Sequence, residues 1–169
     1  RRPIVSIVPT GSELCEVGKP LGPAQIYNSN AMMLEAQVRR AGAIPKRQAI
    51  VEDDPKTLSS ALEDAAKNSD LIITSGGVSV GDFDHVTDIL RERGSVAFWK
   101  VAIKPGKPLA FGKIGSTPLL GLPGNPVSAY VCFELFGRPA LDTLRGVSLH
   151  RRNPISAELT QNVRCSDTR

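Results

Sequence analysis

The chain has 169 residues, of which 41% are hydrophobic and 22% charged, a composition typical of globular domains rather than of disordered or membrane-spanning chains. Its net charge of +4 suits an anionic partner, but aromatic residues make up only 5% of the chain and the basic residues are scattered, which argues against nucleic-acid binding by base stacking. A phosphate-bearing small molecule is the favoured partner, and no apolar run approaches the roughly 20 residues of a membrane span.

The three cysteines, Cys15, Cys132 and Cys165, form neither a CxxC pair nor a cluster with histidine. We therefore expect reduced thiols and a cytoplasmic location rather than disulfides or a zinc site. The chain starts with RRPIV instead of methionine, so we expect it to be a fragment of a longer protein.

Apolar strands and amphipathic helices alternate along the first part of the chain. PIVSIVPTG is typical of a short buried strand, and Asn28 or Ser29 is expected to cap the helix that follows. AIPKRQAIV predicts a strand that enters or lies at a sheet edge, because Pro45 has no backbone N–H. Either Asp53 or Asp54 is expected to cap the next helix.

The same alternation continues from DLIIT, a continuous apolar strand of the kind buried on both faces of a parallel sheet. A helix over DHVTDILRERG, a strand over SVAFWKVAI, a hairpin-like pair LAFGKIG and TPLLGLP, and a helix capped by Asn125 follow. The pattern predicts an α/β domain over residues 1–147, with three layers and a mostly parallel sheet. Residues 148–169 are expected to be a linker and the truncated start of a C-terminal β domain.

The loop TSGGVSVGDFD follows the apolar strand and precedes a helix, the position at which open α/β sheets bind ligands. Glycines let backbone N–H groups approach a phosphate closely, and a helix N-terminus favours an anion. A simple strand-to-helix turn would explain any one glycine, but it explains three glycines and two serines less well. The expected phosphate or oxyanion cradle consists of Ser75, Gly76, Gly77, Ser79 and Gly81.

Acidic residues adjoin this loop and two others. Asp82 and Asp84 close the glycine loop, where carboxylates beside a phosphate require a cation such as Mg²⁺. For Asp82 a role as the cap of the next helix is favoured, which makes Asp84 the better metal or substrate ligand. Whichever of Asp53 and Asp54 does not cap the helix is free to face the site. Glu13 follows a strand-ending turn, and an exposed surface acid is an equal alternative for it.

The segment WKVAIKPGKPLAFG places Lys100, Lys104 and Lys107 around two prolines. If the preceding strand continues, Lys100 and Lys104 lie on one face of it. Prolines stiffen the backbone and reduce the freedom that the ammonium groups lose on binding an anion. This favours an anion site over a solvated basic loop, and GLPGNPVSAY could form a pocket wall.

In order and spacing, PTGSEL, EDDP, TSGGVSVGDFD, FWKVAIKPGKPLAFG and GLPGNPVSA resemble the MoeA / gephyrin E-domain family, the molybdopterin molybdenumtransferases, over residues 3–147. The resemblance implies the MogA-like molybdopterin-binding fold, followed by the start of the family's small C-terminal β domain. It also implies a reaction in which molybdate is inserted into adenylylated molybdopterin, with Mg²⁺ as cofactor and release of AMP.

The resemblance further implies roles for individual residues. Asp53 and Asp84 match acids that would position Mg²⁺ or substrate, and Lys100 and Lys104 match basic positions that would stabilise developing negative charge. Ser12 departs from the family, which often has Asp or Asn there. The expected substrate-binding residues are Glu13, Ser75, Gly76, Gly77, Ser79, Gly81, Asp82, Lys107, Pro123, Gly124, Asn125 and Pro126.

The family likeness implies that the full-length protein is a homodimer and that a molybdopterin adenylyltransferase is its partner. It also implies that the present fragment binds ligand without turnover. Two alternatives stay open: a MogA-type molybdopterin adenylyltransferase with the same fold, and a non-catalytic scaffold or interaction module. The KPGKP and LPGNP segments, followed by a further domain, favour the molybdenumtransferase.

Overall fold

A computed structural model describes residues 1–78, 85–148 and 154–162. Its strands are β1 (Ile4–Pro9), β2 (Leu14–Cys15), β3 (Ile26–Tyr27), β4 (Ile44–Arg47), β5 (Leu71–Ser75), β6 (Gly94–Trp99), β7 (Ala110–Ile114) and β8 (Thr117–Leu122). Its helices are α1 (Ser29–Arg40), α2 (Pro55–Asn68), α3 (His85–Arg93), α4 (Pro126–Cys132) and α5 (Arg138–Arg145). A π-helical turn at Phe133–Gly137 joins α4 to α5.

Six of the strands form one sheet in the order β4-β1-β5-β8-β7-β6. β4, β1, β5 and β8 are parallel, whereas β7 runs antiparallel to both β8 and β6. The predicted three-layer α/β fold with a mostly parallel sheet is confirmed, and so is the hairpin of β7 and β8. The short strands β2 and β3 pair separately, beside the end of β1.

Both faces of the sheet are buried at its centre, and β5 shows why its sequence is apolar throughout. Leu71 and Ile73 belong to the core on the side of α1 and α4, which includes Phe133. Ile72 points to the opposite core with Leu62 of α2, because successive side chains of a strand alternate between faces. Each such side chain contributes about 1.5–3 kcal/mol by leaving water, so the two cores fix the sheet between the helical layers.

Helix caps decide which acidic residues are available to the site. Asn28 caps α1 by accepting a hydrogen bond from Ala31 N at 3.3 Å. Asp54 caps α2 by accepting from the backbone N of Thr57 at 2.8 Å and from its hydroxyl at 2.7 Å. These hydrogen bonds, first the backbone one, lower the pKa of the Asp54 carboxyl. Asp54 is therefore the capping residue, and Asp53 is left for another role.

One predicted strand is too long. β6 ends at Trp99, and Lys100 adopts a left-handed φ of +66°. The chain then folds back, with hydrogen bonds from Lys100 N to Leu109 O (2.9 Å) and from Val101 N to Lys107 O (3.0 Å). The expectation that Lys100 and Lys104 share one face of a strand is therefore wrong, because the strand does not reach them.

The last helix of the structure ends close to the predicted limit of the α/β domain at residue 147, and that limit stays a prediction. α5 ends at Gly146, whose φ of +69° suits a glycine cap. Residues 154–162 are exposed and contain no helix or strand in the structure. The truncated C-terminal β domain proposed for residues 148–169 stays a prediction.

Cys132 connects α4 to the lysine-bearing loop between β6 and β7. The residue is fully buried, and its thiol lies 3.6 Å from the carbonyl oxygen of Gly106. A Cβ at Gly106 would lie 2.5 Å from this sulfur, so only glycine allows the loop to pack so closely. Burial raises the pKa of the Cys132 thiol to about 11.

This burial predicts a stability loss at high pH. An unfolded thiol ionises near its ordinary pKa of 9.0, whereas the folded one stays protonated to about pH 11. The stabilising contribution is complete below pH 9 and is lost as the pH rises to about 11. Urea unfolding across this range should show a steeper decline for the wild type than for Cys132→Ala. Parallel declines would contradict the prediction.

Candidate functional site

The strand order brings the described parts of the five predicted segments to one edge of the sheet. The parallel strands β4, β1, β5 and β8 end at this edge, followed by EDDP, PTGSEL, TSGG and LPGNP respectively. Ala110 of β7 pairs with both Gly121 of β8 and Trp99 of β6, so the loop with the three lysines joins β6 to β7 at the same edge. We call this edge the rim.

A cleft of about 210 Å³ opens on the rim beside the N-terminus of α1. Five of the predicted residues line it: Glu13, Ser75, Gly76, Gly124 and Pro126. Thr10, Tyr27, Asn28 and Asn30 also line it, and sequence reasoning did not select them as site residues. The cleft therefore combines polar groups with an apolar wall that includes Leu14 and Ile26.

Gly76 draws the ends of three strands together. Its φ is +96°, and a Cβ there would lie 2.4 Å from the carbonyl oxygen of Thr10. Its N–H donates to Leu122 O at 3.1 Å, while Thr10 N donates to Ser75 O at 3.1 Å. The N–H of Gly76 is thus already used within the protein, and the residue contributes close packing of β1, β5 and β8 at the cleft.

Asn30, in the first turn of α1, joins the two loops that form the cleft floor. Its Nδ2 donates to Ser75 Oγ at 2.9 Å and to Gly124 O at 2.7 Å. The amide thus holds the end of β5 against the turn after β8. Asn30 stands two residues after the cap residue Asn28 in the segment YNSN, which indicated only a helix start.

Asp53 is fixed against the loop after β1. Its Oδ1 accepts from the Thr10 hydroxyl at 3.2 Å and its Oδ2 from Ser12 N at 3.2 Å. Ser12 Oγ in turn accepts from Asp53 N at 3.4 Å, so the departure at Ser12 is compatible with a tight connection between the loops.

Asp53 can supply one ligand to a cation. Within the described ranges, no three His, Cys, Asp or Glu side chains lie close enough together to hold a metal. Mg²⁺ needs only one or two protein carboxylates when substrate phosphates and water complete its shell, and each oxygen of Asp53 keeps a lone pair beyond its single hydrogen bond. Asp84, the second predicted ligand, lies outside the described residues, as do Ser79, Gly81 and Asp82.

The three lysines lie on the rim but do not line the cleft. Lys100, Lys104 and Lys107 are all exposed, and Lys100 Nζ lies 3.7 Å from the centroid of the Trp99 ring. In the strand order their loop lies over β7 and β6, beyond β8 as seen from the cleft. The rim therefore has an acidic and apolar part around β1, β5 and β8 and a basic part beside it.

The remaining predicted residues have structural roles. Asn125 caps α4 by accepting from Ser128 N at 3.1 Å. Pro123 is buried at the end of β8. Gly77, with a φ of +68°, accepts from Val86 N at 3.3 Å at the start of α3.

Comparison with known proteins gives a consistent result. Residues 6–143 match the family model described as "Probable molybdopterin binding domain". The chain is 46% identical over 165 residues to molybdopterin molybdenumtransferase 2 of Mycobacterium tuberculosis and 41% identical over 161 residues to molybdopterin molybdenumtransferase of Haemophilus influenzae. These alignments cover 94% and 95% of this chain but 41% and 40% of the relatives, so the chain spans well under half of their length.

Solved structures agree with the fold. A molybdopterin biosynthesis MoeA protein from Pyrococcus horikoshii superimposes with a TM-score of 0.78 at 33% identity, covering 86% of this chain and 36% of that one. The molybdopterin biosynthesis Mog protein of Mycobacterium ulcerans shares the fold, with a TM-score of 0.61 at 20% identity. The superposition covers 86% of this chain and 99% of that one. With the family model matching most of its length, the chain belongs to the molybdopterin-binding domain family.

Proposed function

We propose that this chain is the molybdopterin-binding domain of a molybdopterin molybdenumtransferase, and that its rim binds adenylylated molybdopterin. In the full-length protein, molybdate is inserted at the dithiolene, Mg²⁺ assists and AMP is released. The gathering on one rim of the described parts of the five family segments is the observation that carries this proposal. The identity of 41–46% to named molybdenumtransferases supports it.

The two parts of the rim suit a ligand with two different ends. The cleft, with its apolar wall, suits a flat heterocycle, whereas the exposed lysines suit phosphate and molybdate oxygens. Lys100 and Lys104 would stabilise negative charge on the leaving phosphate and on the oxyanion. Asp53, and Asp84 with it, would hold Mg²⁺, which when bound neutralises phosphate charge and orients the substrate.

Replacing Asp53 tests this proposal most directly. Asp53→Asn removes the charge while keeping an oxygen that accepts from Thr10 or Ser12. In calorimetric titrations with adenylylated molybdopterin, Mg²⁺ should strengthen binding to the wild type. We expect the increase in affinity that Mg²⁺ produces to be at least about 10-fold smaller in Asp53→Asn than in the wild type. The same reduction is expected in Asp84→Ala.

The neighbouring acid provides a matched control. Asp54→Asn removes the same charge one residue away, and asparagine caps a helix as well as aspartate does. Its response to Mg²⁺ should equal that of the wild type. An unchanged response in Asp53→Asn would remove Asp53 from the cation site.

The proposal extends to a homodimer of the full-length protein, a molybdopterin adenylyltransferase that supplies the substrate, and a cytoplasmic location. Over the ranges that the structure describes, the helices lack the length and apolar character needed to cross a bilayer. Molybdate-dependent release of AMP, measured against ATP-dependent adenylylation of molybdopterin, separates this function from that of a MogA-type enzyme.

A further inference from the structure

The amide of Asn30 has a defined orientation. Gly124 O can only accept a hydrogen bond, so the amide atom 2.7 Å from it must be the nitrogen. The same nitrogen donates to Ser75 Oγ at 2.9 Å. Ser75 Oγ therefore acts as an acceptor towards Asn30, which leaves the hydroxyl proton of Ser75 to be donated in another direction.

The other end of the amide lacks a protein partner. Asn30 Oδ1 is buried and accepts no hydrogen bond within the part of the chain that the structure describes. A buried acceptor left without a donor costs about 1–3 kcal/mol, and most such atoms in native proteins find a partner. Since Asn30 lines the cleft, a bound ligand is the natural source of that donor.

Ser75 and Asn30 both line the cleft, and between them they offer a hydroxyl donor and an amide oxygen that accepts from no described residue. A phosphate offers acceptors alone, so it would satisfy Ser75 and place negative charge against Asn30 Oδ1. The edge of a lactam ring, with an N–H beside a C=O, satisfies both groups. The exposed side chain of Ile26 and the exposed aromatic ring of Tyr27 border the same cleft and can cover the face of such a ring.

We propose that Asn30 is a specificity-determining residue that, with Ser75, binds the amino-oxo edge of the pterin ring and thereby selects the heterocyclic end of the ligand for this cleft. The proposal rests on the proposed function, which supplies the pterin. It assigns the phosphate end to the rim outside the cleft, where the lysines lie.

Two substitutions test the pair. Asn30→Asp keeps an acceptor oxygen but cannot donate, so the Ser75 hydroxyl turns to the new carboxylate and is lost to the ligand. Ser75→Ala removes the hydroxyl without a change of charge. In anaerobic calorimetry with molybdopterin, each should weaken binding about 10- to 100-fold, as the loss of one or two buried hydrogen bonds predicts.

The double variant separates recognition from mere structural damage. Because Asn30 acts partly through Ser75, its replacement should matter less once Ser75 is gone. The factor by which Asn30→Asp weakens molybdopterin binding should be at least about threefold smaller in the Ser75→Ala background than in the wild type. Asn162→Asp makes the same chemical change at an exposed position outside the cleft and should bind like the wild type. Inorganic pyrophosphate, a probe without the ring, should bind Ser75→Ala and the wild type equally.

The possible failures differ from one another. If the wild type binds no molybdopterin, the proposed function is wrong and this inference falls with it. If the wild type binds but both single variants bind equally well, Asn30 and Ser75 do not contact the ring, while the proposed function stands. Fully additive losses, or equal weakening of pyrophosphate binding by Ser75→Ala, would overturn the assignment of the ring to this cleft.

Discussion

Gly76→Ala should destabilise the protein by about 2–5 kcal/mol, the largest effect on stability that we expect from a single methyl group at the rim. The φ of +96° at this position contributes backbone strain of about 1–3 kcal/mol once a Cβ is present. The new Cβ would also lie 2.4 Å from the Thr10 carbonyl oxygen, a backbone atom that moves only if β1 moves. Thermal unfolding should show a melting temperature lower by about 5–15 °C.

Gly115→Ala is the matched control for backbone strain. Gly115 has a φ of +58° in the turn between β7 and β8, but a Cβ there would meet no atom within 4 Å. Its replacement by alanine should lower the free energy of unfolding by about 1 kcal/mol. If Gly76→Ala proves no worse than Gly115→Ala, the close contact between β5 and the end of β1 is not a constraint on the rim.

The architecture was predictable because its determinants are local. Apolar runs such as DLIIT, together with caps such as Asn28 and Asn125, mark where strands and helices begin and end. The positions of ligand-binding loops then follow from a general property of parallel sheets, whose carboxyl ends lie at one edge. The gathering of four segments on the rim follows from this rule, as far as the structure describes them. The lysine loop reaches the same edge for another reason, since it joins β6 to the antiparallel strand β7 there.

The features that sequence reasoning missed depend on distant partners. Asn30 bonds to residues 45 and 94 positions away, and nothing in YNSN indicates such partners. The end of β6 depends on β7 as well, because Trp99 pairs with Ala110 and the chain beyond it folds back onto Lys107 and Leu109. The apolar pattern of FWKVAI continues past this point and so predicted too long a strand.

The lysine-bearing loop should carry most of the charge-dependent affinity for ligand. The double variant Lys100→Ala, Lys104→Ala should bind adenylylated molybdopterin about 10²- to 10³-fold more weakly, because a hydrogen bond from a charged group contributes about 1.5–3 kcal/mol. Lys100 Nζ lies 3.7 Å from the centroid of the Trp99 ring. Trp99 is the only tryptophan of the chain, so tryptophan fluorescence can report binding at this loop. The wild-type affinity should also fall as salt screens the lysines.

Lys113→Ala is the control that separates a placed charge from net charge. Lys113 is exposed on β7 and pairs with Pro118 at the start of β8, at the end of the sheet opposite the rim. Lys113 is separated from the lysine loop by several strand residues, each about 3.3 Å long, so salt largely screens its charge from a ligand there. Lys113→Ala should therefore leave ligand affinity within about twofold of the wild type. Lys100→Arg should retain most of the affinity, because arginine keeps the charge and stacks on tryptophan. A loss in Lys113→Ala equal to that of the double variant would mean that the domain attracts its ligand by overall charge alone, and that the rim has no distinct basic part.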